Sequence, residues 1–203
     1  MDRYHHNITT QTIAKVGAEL GFERLSLGQV ARRLHVTTPA LYRHVANRRQ
    51  LDQVVAALML SDFSVADPKD DVRSYLVSLA QSFFKVCRDN PGLECYLMHD
   101  FPADPESARI AAEAKSAIQR HGYGAEAAAS LAGLTATYAI ALAASARGRG
   151  TDDDLVEVAP GLALGPVERF TLMILPPIDG LLEMTKPDDS LADIVATATS
   201  RLP

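Results

Sequence analysis

Between Ser26 and Val45 the sequence holds two short apolar segments separated by three residues. Leu27, Val30, Ala31 and Leu34 recur at helical spacing, His35-Val36-Thr37 interrupts them, and Leu41 and Val45 resume four apart. Helices of about eight residues are unstable alone in water, because nucleation is costly. They must bury their apolar edges on a third element. The segment Thr9 to Leu20, with Ile13, Val16 and Leu20 on one stripe, supplies it, and Gly21 stops it. Ser26 followed by Gln29 has the spacing of a capping box. Pro39 opens the third helix, predicted over Thr38 to Val45, at a position where a missing amide hydrogen costs nothing. Such a triplet is a helix-turn-helix unit, whose second short helix enters the major groove of DNA.

The rest of the chain is also helical in pattern, and no alternating run bounded by hairpin turns is present. Helices are expected from about Asn47 to Phe63, Asp71 to Arg88, Pro105 to His121 and Ala125 to Arg147, with a short segment over Leu93 to His99. Gly148 to Gly165 reads as a loop. A helix from Pro166 should stop or kink at Pro176-Pro177, because two ring residues remove two amide donors, and resume over Ile178 to Met184. Ser190 caps a last one. The fold class is all-α, with about nine to ten helices. Residues 1–47 form a DNA-binding head and residues 48–203 a larger helical body.

Charge follows the same division. Residues 1–50 carry eight Lys and Arg against three Asp and Glu, a net of +5, whereas residues 51–203 carry 12 against 22, a net of −10. A basic head on an acidic body points to a nucleic-acid-facing module joined to one with another task. Cys87 and Cys95 are the only cysteines and form no Cys-x-x-Cys pair, which argues for a reducing compartment and against a zinc ribbon. The first ten residues have no apolar stretch of signal-peptide length, so the cytoplasm is the expected location. Ala127 to Ala146 is free of charge and long enough to span a membrane, but it is mostly alanine. It reads as a helix buried in a core or subunit interface. No membrane association, metal or cofactor is expected. Gly-rich phosphate loops, His-Glu-x-x-His and Gly-x-Ser-x-Gly are missing, and no enzyme activity is expected. Asp152-Asp153-Asp154 lacks EF-hand spacing and reads as a solvated loop, and His5-His6 as a terminal arm that touches DNA at most.

Several head residues suit DNA. Thr37 caps the recognition helix, and its free amides with those of Thr38 face phosphate or base edges. Pro39 and Ala40 are small and apolar, suited to a thymine methyl. Tyr42, Arg43 and His44 project from the same helix, Ser26 and Gln29 sit at the start of the helix before it, and Arg48 opens the one after it. The string Leu41-Tyr42-Arg43-His44-Val45-Ala46-Asn47-Arg48-Arg49-Gln50-Leu51 resembles the signature of the tetracycline-repressor (TetR) family of bacterial transcriptional regulators. The stretch from Gly21 to Thr37 is similar too, with Val30-Ala31 and Val36-Thr37 at matching places; the likeness is strong over residues 8–52. His35 stands where the family usually has a glycine in a left-handed turn, a conformation His tolerates better than bulky residues. Gly28 stands where the tetracycline repressors carry a base-reading arginine, so their operator is not carried over.

The resemblance implies that Tyr42 and Arg48 contact phosphates and that Thr38 to Arg43 meet the groove. It also implies a homodimer with one ligand pocket per subunit, paired through the Ala-rich helix and the one holding Pro176-Pro177. Phe63, Leu79, Phe83, Cys87, Tyr96, His99 and Tyr138 are the candidate pocket residues, with Tyr96, His99 and Tyr138 as its polar handles. Ser64 falls near the family's drug-binding histidine, which argues against a tetracycline–magnesium ligand. The function expected is a dimeric repressor that binds a palindromic operator and is released by a small, largely hydrophobic effector. An activator, a ligand-independent DNA-binding protein and a small all-α enzyme are the alternatives.

Overall fold

A computed structural model describes residues 8–68, 71–146, 156–159 and 162–201. The elements in order are α1 (Thr10–Leu20), α2 (Leu27–Arg33), α3 (Thr38–Leu41), α4 (Arg48–Met59), α5 (Val72–Asp89), α6 (Leu93–Asp100), α7 (Pro105–Arg120), α8 (Ala125–Ala146), β1 (Val156–Ala159), β2 (Leu162–Leu164), α9 (Pro166–Met184) and α10 (Leu191–Ser200). The architecture is all-α, as the periodicity requires. The chain divides into two compact units, Met1–Phe63 with Val86–Ile110, and Ser64–Lys85 with Ala111–Pro203.

The first unit is built on the core the sequence marks. Ile13 and Val16 of α1, Val30 and Ala31 of α2, Leu34, Leu41, Val45, and Leu51 and Val55 of α4 bury together. Thr9 caps α1 by accepting from the Thr12 amide at 3.1 Å, and Gly21 ends it at φ 73°. α4 packs on α1, so in packing it goes with the head, past the expected boundary at residue 47. Asn47 caps α4, its side chain accepting from the Gln50 amide at 2.9 Å.

The second unit packs Tyr75, Leu76, Leu79, Ala80 and Phe83 of α5, Ala114, Ala117 and Ile118 of α7, one face of α8, and Phe170, Ile174 and Ile178 of α9 into its core. α8 passes a membrane-span test by length and composition, yet ten of its residues are buried within the protein, Ala127, Leu131, Ala139 and Ile140 among them. Ser190 closes a full capping box with Asp193 at the start of α10.

Four local expectations need correction. α3 is helical only over Thr38–Leu41 and continues as turns to Val45, whose amide donates to Leu41 at 3.0 Å. Only half of the capping box at α2 forms: the Ser26 hydroxyl accepts from the Gln29 amide at 3.2 Å. The stretch read as a loop contains a two-stranded antiparallel ribbon, with Val156 opposite Leu164 and Glu157 opposite Ala163. Val156-Glu157-Val158 does alternate, but a run this short among glycines and aspartates gives a weak strand signal. Finally, α9 runs through Pro176-Pro177 as one helix. Proline's fixed φ is itself helical, and Ile174 and Ile178, one turn apart and each 1% exposed, hold both halves of α9 in the core.

Candidate nucleic-acid interface

The turn between α2 and α3 is closed by backbone bonds from His35 to Arg32 at 3.2 Å and from Val36 to Ala31 at 3.0 Å. His35 takes φ 56°, the left-handed conformation that the family resemblance implies at this turn. Leu34, Leu41 and Val45 then anchor α3 to the head core, which fixes the side of α3 left to solvent. Thr37 occupies the cap position of α3, but its side chain makes no cap bond, which corrects its assignment as the cap. The Thr37 carbonyl instead accepts from the Ala40 amide at 2.9 Å.

Gly28, Gln29, Arg32, Arg33, Thr37, Pro39, Tyr42 and Arg43 are all exposed, and Ser26, Thr38, Ala40 and His44 partly so. Tyr42 is 52% exposed, a large amount for an aromatic side chain. Among the described residues neither Tyr42 nor Arg43 has a hydrogen bond or ion pair.

Three neighbouring arginines have partners, whereas Arg24 and Arg32 are exposed. Arg33 lies 3.9 Å from Glu19. Arg48 donates to Asp52 at 2.7 Å and to the Leu25 carbonyl, so this expected phosphate contact also ties α4 to the α1–α2 loop. Asp52 is half-buried, and burial raises its carboxyl above the ordinary value despite the Arg48 hydrogen bond. Arg49 pairs with Asp100 of α6 at 2.8 Å, and the Gln53 amide donates to the Ala103 carbonyl at 2.9 Å. No sequence spacing signals these two cross-links, because their partners lie about fifty residues away. They flank an open polar cleft of about 580 Å³ lined by Asn47, Arg49, Gln50, Gln53, Pro102 and Ala103.

The candidate ligand residues fall into two groups. Phe63, Cys87 and Tyr96 are buried in the first unit, and Leu79 and Phe83 in the second. His99 and Tyr138 are exposed, so neither is a buried polar handle. His99 Nδ1 lies 2.7 Å from the Cys95 carbonyl. Tyr138 shares the outer face of α8 with Leu134, because the opposite face carries the core residues. Tyr96 donates its hydroxyl to Asp104 at 2.9 Å, so its polar group is already taken. Burial, reinforced by Asp104, raises that phenol well above its ordinary value. His5, His6 and Asp152-Asp153-Asp154 lie outside the described residues.

Several large apolar side chains of the second unit are exposed. Leu134 and Tyr138 on α8 and Leu172 and Met173 on α9 are exposed, Leu172 to 61%.

No family model matches the chain. Tetracycline repressor protein class A from transposon 1721 of Escherichia coli is 41% identical over 68 residues, 32% of this chain. That match spans about a third (32%) of the length of the curated relative. Among solved structures, the Streptomyces coelicolor TetR family protein ActR in complex with (S)-DNPA is similar at TM-score 0.74 and 21% identity, over 89% of this chain and 100% of that one. BioQ with its natural double-stranded DNA operator is similar at TM-score 0.67 and 18% identity, over 87% and 99%. A TetR variant from Acinetobacter baumannii AYE in complex with minocycline gives TM-score 0.66 and 21% identity, over 89% and 99%. The fold is that of TetR-family proteins.

Proposed function

We propose that this chain, with the TetR fold and a 68-residue stretch 41% identical to a tetracycline repressor, is a DNA-binding transcriptional regulator of the cytoplasm. It acts as a dimeric repressor on a two-fold operator and is released by a small, largely apolar molecule. The observation that carries the DNA reading is the pairing of Tyr42 with Arg43. An exposed aromatic and a guanidinium without an ion pair among the described residues stand side by side in the turn after α3, while Arg33, Arg48 and Arg49 have acidic partners. In this reading Arg43 reads a base edge, Tyr42 and Arg48 hold phosphate, and Pro39 and Ala40 meet a thymine methyl.

The dimer reading rests on Leu134, Tyr138, Leu172 and Met173. Soluble monomers avoid large contiguous apolar patches, and the small side chains of α8 allow close backbone approach. Release then requires an effector that favours the free state over the DNA-bound one, since equal affinity shifts nothing. α4 is suited to carry such a change, with Arg48 fixed to the head at one end and Arg49 and Gln53 tied to Asp100 and Ala103.

Affinity selection from a random double-stranded DNA pool tests the reading. The expected product is an inverted repeat with half-site centres about one helical turn, or a small multiple, apart. Failure to enrich any two-fold sequence would overturn it.

A further inference from the structure

We infer that Asp52 is a positioning residue for DNA binding: its carboxylate and the Leu25 carbonyl together hold the Arg48 guanidinium in one orientation, leaving its remaining N–H groups for a backbone phosphate. The inference rests on the proposed function, which takes Arg48 as a phosphate contact. Arg48 is the first residue of α4 and reaches two partners at once. Its Nε donates to Asp52 Oδ1 at 2.7 Å, and its Nη1 donates to the Leu25 carbonyl. A guanidinium carries five N–H donors in one rigid plane. Two of them are taken by partners on different elements, α4 and the α1–α2 loop, so the plane cannot turn without breaking a bond. The other three, two of them on Nη2, have no partner among the described residues, and the side chain is 48% exposed. Such a fork suits a phosphate.

Helix stability does not account for the pair. A cation at the start of a helix opposes the macrodipole, and a basic residue four before an acidic one is the less favourable order. Ion pairs at a surface contribute little to folding in any case. Asp52 is half-buried: desolvation raises its carboxyl despite the Arg48 hydrogen bond, and Asp100 adds repulsion. Tyr96, the other titratable group facing it from α6, also feels its charge. What the arrangement secures is a long side chain ordered before DNA arrives, so less rotamer freedom is lost on binding.

Simple charge repulsion predicts the opposite sign, which makes the role testable. Removing a carboxylate beside DNA should tighten binding by charge alone, whereas removing a positioning group should weaken it. Binding of the full chain to its selected DNA is measured across a range of salt for wild type, Asp52→Ala, Asp52→Asn, Arg48→Ala and the double alanine variant, with Tm recorded for each. Asp52→Ala should bind about two- to ten-fold more weakly, the range for ordering one rotamer-rich side chain, and its salt slope should fall toward that of Arg48→Ala. Asp52→Asn keeps an oxygen to accept from Nε and should recover most of the affinity. In the Arg48→Ala background, Asp52→Ala should weaken binding no further. Unchanged or tighter binding by Asp52→Ala, or an equal loss with and without Arg48, would overturn the inference while leaving the regulator reading intact. Losses that follow Tm across the variants and leave the salt slope unchanged would make Asp52 a structural residue and overturn it too. A wild-type protein that selects no two-fold DNA would refute the regulator reading and this inference with it.

Discussion

A Cβ placed on Gly17 of α1 falls 2.3 Å from Cγ2 of Val55 on α4. The two helices meet backbone to side chain at that point, and only a glycine fits. Val55 is stiff at χ1 in a helix and cannot swing aside, and it is fully buried. Gly17→Ala should therefore destabilise the head by about 1–3 kcal/mol, the usual cost of overpacking. Val55→Ala should recover part of that loss in the double variant. Thermal unfolding of the four proteins checks it; additive losses would show that the contact is not shared.

Arg43 and Arg48 should separate in DNA binding. Arg43→Ala should cost about 1–3 kcal/mol and relax preference at one base pair, as a base-reading residue does. Arg48→Ala should weaken all sequences alike and lower the salt slope by about one. It should also lower Tm, because it frees the Leu25 carbonyl and unpairs Asp52. Uniform loss across sequences from Arg43→Ala would remove its base-reading role.

The exposed apolar side chains on α8 and α9 predict a dimer. Leu172→Glu places a charge on a side chain that is 61% exposed in the single chain. It should leave the subunit folded and shift sedimentation at micromolar concentration from dimer to monomer. A wild-type monomer under the same conditions would refute the assignment.

Tyr96 and Asp104 form a buried hydrogen bond of 2.9 Å within a cluster completed by Ser107, whose hydroxyl lies 2.8 Å from the same carboxylate oxygen. Tyr96→Phe leaves Asp104 short of a donor and should cost about 1–3 kcal/mol. Tyr42→Phe, at an exposed site, should leave Tm unchanged and weaken DNA binding. The pair of variants therefore distinguishes a phenol used for folding from one used for recognition.

Arg73 grips Asp179 of α9 through two hydrogen bonds of 2.6 and 3.0 Å, which hold the Asp179 carboxyl below its ordinary value of 3.8. A depressed carboxyl adds stability above its unfolded value and loses it as pH falls through the folded one. Unfolding followed from neutral pH down to about pH 2 should therefore show a shallower acid limb for Asp179→Asn than for wild type. Parallel curves would assign the acid sensitivity to other carboxylates.

The helices, the three-residue turn and the inward side of α3 were legible in the chain before it folded, whereas the left-handed conformation of His35 was implied by the family resemblance. Each depends on residues within one or two helical turns, where spacing and backbone preference act directly. Packing set the rest. α9 runs through two prolines because Ile174 and Ile178 are held in one core. Arg49 reaches Asp100 and Tyr96 donates to Asp104 because folding brings those groups together, and it is the packing of elements rather than residue spacing that sets such contacts.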